Sequence, residues 1–285
     1  AAGAALAAVD QLQGIYSGAQ RAGAPYGLTD LDKLTSGMAD GDLVILGARP
    51  SIGKSALCLH VARSAATDGK AVALFSLEMG REQLALRLFG AAGDVDVWKI
   101  AQGFATAFDW ERVTSACALV SELRLWIDDS AGSTLLDLRA RSRRLKAEHG
   151  LGLVIVDYLQ LMRGPKAESR QQQVAELSRG LKLLARDLNV PVLALSQLSR
   201  KVEERSDGKP QLSDFRESGA IEQDADVVLA LHREAKKGAD MNDGAVLEVI
   251  VLKQRNGPTG TVKVWFEPRR QRFGDYDENA GEERA

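Results

Sequence analysis

The 285-residue chain has two cysteines, Cys58 and Cys117, far apart and outside any CxxC pair. Isolated thiols exclude a disulfide framework and point to a reduced, cytoplasmic protein. The three histidines, His60, His149 and His232, are equally scattered, and none stands near a cysteine at ligand spacing. That argues against a metal site built from protein groups alone. No stretch approaches the ~18 to 20 consecutive apolar residues that cross a bilayer, so no membrane partner is expected. Ala1 to Ala8 lack the basic leader of a signal peptide. The chain does not begin with Met, so an upstream part is expected to be missing. Strong charge of either sign is lacking too. A net charge of −2 speaks, on its own, against a nucleic-acid binder. A few basic loops can hold a strand while the rest stays acidic, so distribution has to decide.

What is present is an ordinary apolar fraction, 45%, enough for a sizeable core. At the start, Leu6, Val9, Leu12 and Tyr16 fall on one arc of a helical wheel, although Gly14 weakens that helix. Gly and Pro between residues 22 and 25 mark a linker. Residues 1–24 are therefore expected to be a linker helix with its linker, 25–274 the main domain, and 275–285 a disordered acidic tail. Within the main domain, apolar runs at 43–46, 71–75, 123–127, 153–156, 192–195, 227–231, 247–252 and 261–266 alternate with helical runs. That alternation predicts an α/β fold with a mostly parallel sheet flanked by helices. The last two strands follow closely and are expected to form an antiparallel hairpin at an edge. The clearest helical stripe is Val174, Leu177, Leu181, Leu184 and Leu188, read as core packing. His149 beside Gly150 reads as a helix end.

The run 43–46 leads straight into Gly47-Ala48-Arg49-Pro50-Ser51-Ile52-Gly53-Lys54-Ser55, and a helical run follows. A phosphate-binding loop requires this strand–loop–helix context. Amides of the loop, Ser51 included, and of the helix start would face the phosphates. Lys54 would reach the β and γ phosphates of ATP, Ser55 would bind Mg²⁺, and Gly53 would admit the ligand where a Cβ would interfere. The usual first glycine is replaced by Ala48, with Gly47 one residue earlier, so a plain Gly-rich turn is the bland alternative.

Three strand ends carry candidate groups. Leu153-Val154-Ile155-Val156-Asp157 ends in an acid that can hold Mg²⁺, although Asp157 could also be a helix cap. The run 71–75 leads into Ser76-Leu77-Glu78, whose carboxylate could align an attacking water or merely start a helix on the surface. The run 192–195 ends in Ser196-Gln197, a neutral amide suited to sensing a γ phosphate. A long polar stretch, 198–219, follows it.

Six segments taken together resemble the C-terminal domain of DnaB-type replicative helicases. They are Ala48 to Ser55, Phe75-Ser76-Leu77-Glu78-Met79, Asp157-Tyr158-Leu159-Gln160-Leu161-Met162, Ser196-Gln197-Leu198-Ser199-Arg200, Arg216 to Asp226, and Lys253-Gln254-Arg255-Asn256-Gly257-Pro258. They occur in the family's order, and an Ala where Ala48 stands is common there. The resemblance implies a RecA-like P-loop fold and a homo-hexameric ring moving 5′→3′ on single-stranded DNA, with a helicase loader and a primase as partners. It implies Glu78 as catalytic base, Asp157 completing the metal site, Arg87 facing the nucleotide and Gln197 as sensor. Lys253 and Arg255 would enter a neighbouring subunit's ATP site, Arg255 as arginine finger. Stretches 162–173 and 200–219 would line the pore, with Arg163, Lys166, Arg170, Arg200, Arg216, Glu217 and Gly219 as DNA-binding candidates. Without the resemblance these read as solvated mixed-charge loops. The N-terminal helix would pack on an adjacent subunit. Two other readings stay open: a RecA- or RadA-like DNA-dependent ATPase, and a nucleotide-gated assembly module that unwinds nothing.

Overall fold

The computed structural model describes residues 23–157, 170–205, 207–215, 218–233 and 244–277, with side chains from Gln172 onward in the second stretch and from Gly219 in the fourth. In chain order it contains α1 (Thr29–Thr35), β1 (Leu43–Ala48), α2 (Lys54–Thr67), β2 (Ala71–Ser76), α3 (Arg81–Gly93), α4 (Val97–Ala101), α5 (Ala107–Ser121) and β3 (Leu125–Asp128). There follow α6 (Leu135–His149), β4 (Leu151–Asp157), α7 (Arg170–Leu188), β5 (Val192–Gln197), α8 (Ser218–Asp224), β6 (Val227–His232), β7 (Ala245–Gln254), β8 (Gly260–Glu267) and β9 (Arg272–Asp275).

The strands form one sheet in the order β3-β2-β4-β5-β1-β6-β7-β8-β9. The first six pair in parallel and the last three are antiparallel additions. Every residue of β1, β2 and β6 is buried, because helices cover both faces. Val44 and Leu46 face one apolar layer with α2, while Leu43 and Ile45 face the other with α6 and α7. Val174, Leu177, Leu181, Leu184 and Leu188 are all buried in that second layer, as their spacing predicts. Gly150 caps α6 with φ 66°, the expected helix end.

Several boundaries differ from the sequence reading. The β7–β8 hairpin is not at the edge, since β9 pairs outside it through Phe273 and Arg272. Its few residues end in Asp275, so that acid belongs to the sheet and not to the tail. Asp275 Oδ1 also accepts the N–H of Thr29 at 2.7 Å. Ala24 is buried and bridges Met38, which takes it out of the linker. Within the polar stretch 198–219, two short 3₁₀ turns (Arg200–Glu204 and Leu212–Asp214) are held by buried Leu198, Val202 and Phe215. A polar composition hid these three anchors. The expected N-terminal helix lies outside the described residues, as do Arg163, Lys166, Arg216, Glu217 and residues 278–285.

Among the described residues, no helix is long and apolar enough to cross a membrane. Cys58 and Cys117 are both free.

Candidate active site

The loop between β1 and α2 sits at the carboxyl end of the parallel strands, where open α/β sheets leave their ligand crevice. The crevice here has a volume of about 380 Å³. Its lining includes Ser51, Gly53, Lys54, Ser55, Glu78, Arg87 and Gln197, so seven candidates spread over 147 positions of sequence converge on one cleft.

The loop's geometry follows from two positive-φ residues. Ser51 has φ 64° and Gly53 φ 117°. The second conformation favours glycine because an L side chain is strained there. A Cβ on Gly53 would also lie 3.1 Å from the Phe266 ring. The positive φ, with tight packing from β8 and β9, favours glycine here in addition to any approach of a ligand. Gly47 is different from the loop glycine it could pass for. It lies inside β1, and a Cβ there would meet the Phe215 ring at 2.5 Å and Leu198 at 2.7 Å.

The charged centre is compact. Ser55 Oγ donates to Asp157 Oδ2 at 2.9 Å, and Lys54 Nζ lies 3.6 Å from Asp157 Oδ1. Asp157 is 2% exposed, and its Oδ1 has no hydrogen-bond partner. A buried carboxylate oxygen left without a donor, beside a hydroxyl, suits a divalent cation completed by phosphate and water oxygens. Among the described residues no group of three or more His, Cys, Asp and Glu could hold a metal alone. A cation held here would complete its coordination with oxygens of a ligand and water. Burial lowers the pKa of the Arg87 guanidinium, while the charges of Asp157 and Glu78 work to raise it. Arg87 therefore lies within the field of both acids. The neighbouring Cys58 thiol is pushed well above its usual range by burial and by Asp157, so it stays protonated and inert.

Arg49 ties this centre to the strand bearing Gln197. Its Nη1 donates to Leu198 O at 2.9 Å and its Nε pairs with Glu203 at 2.8 Å. Gln197 itself sits opposite Ala48 in the β1–β5 register.

Sequence reasoning missed one wall. Phe266, Pro268 and Gln271, from the β8–β9 hairpin, also line the cleft. Gln271 holds φ 53° and donates through Nε2 to Pro268 O at 2.6 Å, making a tight turn. Only the Pro and the nearby charges at 267–272 were available as a signal.

Lys253 and Arg255 are not in this cleft. They lie at the amino end of the sheet, where the Arg255 N–H bonds Asp226 O at 2.9 Å. β1 spans six residues from there to the loop, roughly 16 Å of strand. Arg200 and Gly219 are exposed and also stand outside the cleft lining. Of Arg170 only the backbone, at the start of α7, is described.

The DnaB-like helicase C terminal domain family matches residues 23–275. The replicative DNA helicase DnaB of Geobacillus stearothermophilus is 48% identical over 247 residues, which is 86% of this chain and 54% of that protein. The chain spans about half the length of the curated relatives it matches. A solved ATPase domain superposes with a TM-score of 0.87 at 38% identity, covering 95% of this chain and 98% of its own. A solved DnaB-like replicative helicase, described with its interactions with primase, gives 0.84 at 39% identity over 90% of this chain and 64% of its own. The sheet and its P-loop crevice are thus the RecA-like α/β architecture. A match over nearly the whole chain, on both sequence and fold, places this protein in the DnaB-like helicase C-terminal domain family.

Proposed function

We propose that this chain is the ATP-hydrolysing motor of a DNA helicase that works as a homo-hexameric ring, moving 5′→3′ on single-stranded DNA during replication. The observation that carries the reading is a division between two ends of the sheet. The phosphate-binding group of Lys54, Ser55 and Asp157 is complete at one end, while Lys253 and Arg255 lie at the other. Such a pair cannot reach its own cleft without dismantling the sheet, which leaves the cleft of a second copy as its place of action.

In this reading Lys54 holds the β and γ phosphates, and the loop amides neutralise charge around them. Mg²⁺, when bound between Ser55 and Asp157, would draw charge from the phosphate oxygens. Glu78, exposed on the rim of the cleft, accepts a hydrogen bond from the attacking water and takes its proton. Gln197 reads the γ phosphate, and Arg49 passes its position to the segment after β5. Arg255 of the neighbouring copy stabilises the transferring phosphoryl group, an effect typically worth ~10³ to 10⁵ in rate. The strand would be held by the stretches 162–173 and 200–219. Those contacts would go to the phosphate backbone, as a motor indifferent to base sequence requires. A helicase loader and a primase are the expected protein partners, in a cytoplasmic setting.

The test is complementation. Lys54→Ala and Arg255→Ala chains, each inactive alone, are mixed, and ATP turnover is measured in rings shown by native mass spectrometry to contain both. Partial recovery is expected, at the interfaces that keep both residues. No recovery in mixed rings would refute a shared site.

A further inference from the structure

Asp226 is almost wholly buried between the end of α8 and the start of β6. Its Oδ2 accepts the N–H of Leu43 at 2.8 Å, where β1 begins, and the ammonium of Lys182 from α7. Lys182 is anchored further by Gly41 O at 2.8 Å. The other oxygen, Oδ1, lies 3.4 Å from Arg255 Nη1. Arg255 Nη2 donates to Gln223 O at 3.1 Å, and Lys253 Nζ donates to Ala225 O at 2.6 Å. Carbonyls at a helix end have no partner within the helix, and here the two basic side chains take them.

One carboxylate is therefore shared by two cations of unequal hold. Lys182 is held closely, with 19% of its side chain exposed. Arg255 touches Asp226 at the long end of ion-pair range and is 51% exposed. The weaker partner is the one that can leave. In chain order, α7 follows the stretch 162–173 and α8 follows the stretch 200–219, so a displacement of either stretch would reach Asp226 through its helix.

We propose that Asp226 is a positioning residue that retains Arg255 beside α8, and that Lys182 competes with Arg255 for its charge. This rests on the ring-motor reading above. Lys182, already in contact with Oδ2, keeps part of the carboxylate's charge, so the hold on Arg255 stays weak and the guanidinium can leave for the neighbouring copy's triphosphate. Withdrawal of Lys182 leaves Asp226 to Arg255 alone and tightens the hold.

The two partners of Arg255 in this competition thus have opposite effects when changed. Asp226→Asn keeps an oxygen for the Leu43 N–H but gives up the charge that retains Arg255. Lys182→Gln removes the competitor while preserving a donor. ATP turnover of the full chain is measured with and without oligo-dT, alongside melting temperature, in wild type and in Arg255→Ala backgrounds. Asp226→Asn is expected to raise the strand-free rate about fivefold, the population shift produced by losing one half-exposed ion pair. Lys182→Gln is expected to lower it by a similar factor, and both variants respond less to oligo-dT than wild type. In the Arg255→Ala background, itself inactive, neither change restores turnover. Shifts in the same direction at unchanged melting temperature overturn the proposal, as does any shift that persists without Arg255. If Asp226→Asn does not fold, Lys182→Gln decides alone, and a strand-free rate at or above wild type overturns it. Full turnover by Arg255→Ala in assembled rings would instead overturn the ring-motor reading itself.

Discussion

Ser55 Oγ donates to Asp157 Oδ2 across 2.9 Å, joining the first turn of α2 to the end of β4. With Lys54 at 3.6 Å from the other oxygen, the carboxylate faces the same hydroxyl and ammonium that a nucleotide and its cation would engage. Binding is then an exchange of partners around a fixed carboxylate. Asp157→Asn keeps the shape and removes the charge, so turnover at saturating ATP should fall by about 10²-fold or more. The gain in melting temperature on adding ATP should also become the same with Mg²⁺ as with EDTA. A variant whose ATP-induced stabilisation still depends on Mg²⁺ would show that the cation is held elsewhere.

Gly47 and Phe215 make a second, purely steric, pair. A methyl group on Gly47 would stand 2.5 Å from the Phe215 ring, inside a β1 that is buried along its length. Gly47→Ala should cost about 1 to 3 kcal/mol, the usual range for overpacking a core. That is a fall of several degrees in melting temperature for a domain of this size. Phe215→Leu in the same chain should return part of the loss, because the branched side chain can turn away where the ring cannot. A Gly47→Ala chain as stable as wild type would mean the 198–215 segment is not packed on β1.

These two cases show what the sequence could and could not carry. The phosphate-loop candidates stand out in the sequence because their pattern is local: a strand, a loop and a helix start in 13 consecutive positions of the chain, from Leu43 to Ser55. Apolar runs mark eight of the nine described strands for the same reason. β9 escaped because Arg272, Gly274 and Asp275 leave Phe273 as its only buried apolar side chain. Its pairing is decided by the preceding strand rather than by its own pattern. The packing role of Gly47 and the hairpin wall at Phe266, Pro268 and Gln271 depend on contacts more than 150 residues distant along the chain. Nor does spacing reveal the aromatic surface of α4, α5 and the turn between them, where Trp98, Phe104, Phe108 and Trp110 are exposed. Their alternation with polar residues is compatible with either face.

His60, on α2, gives a pH-dependent signature. Burial pulls its pKa down to about 4, outweighing the hydrogen bond it makes with Gly27 O at 2.9 Å. A carbonyl only accepts, so Nε2 carries the proton of the neutral ring. The unfolded chain binds a proton below about pH 6.5 that the folded chain refuses until about pH 4. Stability from this group is therefore complete above pH 6.5 and is lost as pH falls toward 4. Asp42 works in the opposite sense. Burial and the nearby Asp226 raise its pKa to about 6, so protonation below that favours the folded state. Wild type alone would show the two partly cancelling. The difference in unfolding free energy between wild type and His60→Gln, measured in urea, should shrink by about 2 to 3 kcal/mol from pH 7 to pH 4.5. A difference that stays constant would remove His60 from the acid response.

The hairpin wall is held in place by Asp94, which ends α3 in the left-handed conformation (φ 54°). Its carboxylate pairs with Arg112 at 2.7 Å and with Arg270 and Arg272, each at 3.0 Å. Burial works to raise its pKa, but the hydrogen bond from Arg112 and the charges of Arg272 and Arg270 leave it lowered, so the network stays charged at any working pH. Arg270 and Arg272 also grip Glu267 at 3.0 and 2.9 Å, on the other side of the turn. The turn that carries Pro268 and Gln271 is thus braced against the helix that carries Arg87. None of these groups touches the phosphate-binding centre. Asp94→Asn should therefore loosen the wall without altering Lys54, Ser55 or Asp157. KM for ATP should rise about three- to tenfold, the reach of a small network of half-exposed pairs, with kcat held within about twofold. Inorganic triphosphate, which has no base or sugar to meet the wall, should bind wild type and variant alike. An equal loss of triphosphate binding would show that Asp94 acts on the loop itself, and the wall would then have no separate part in nucleotide binding.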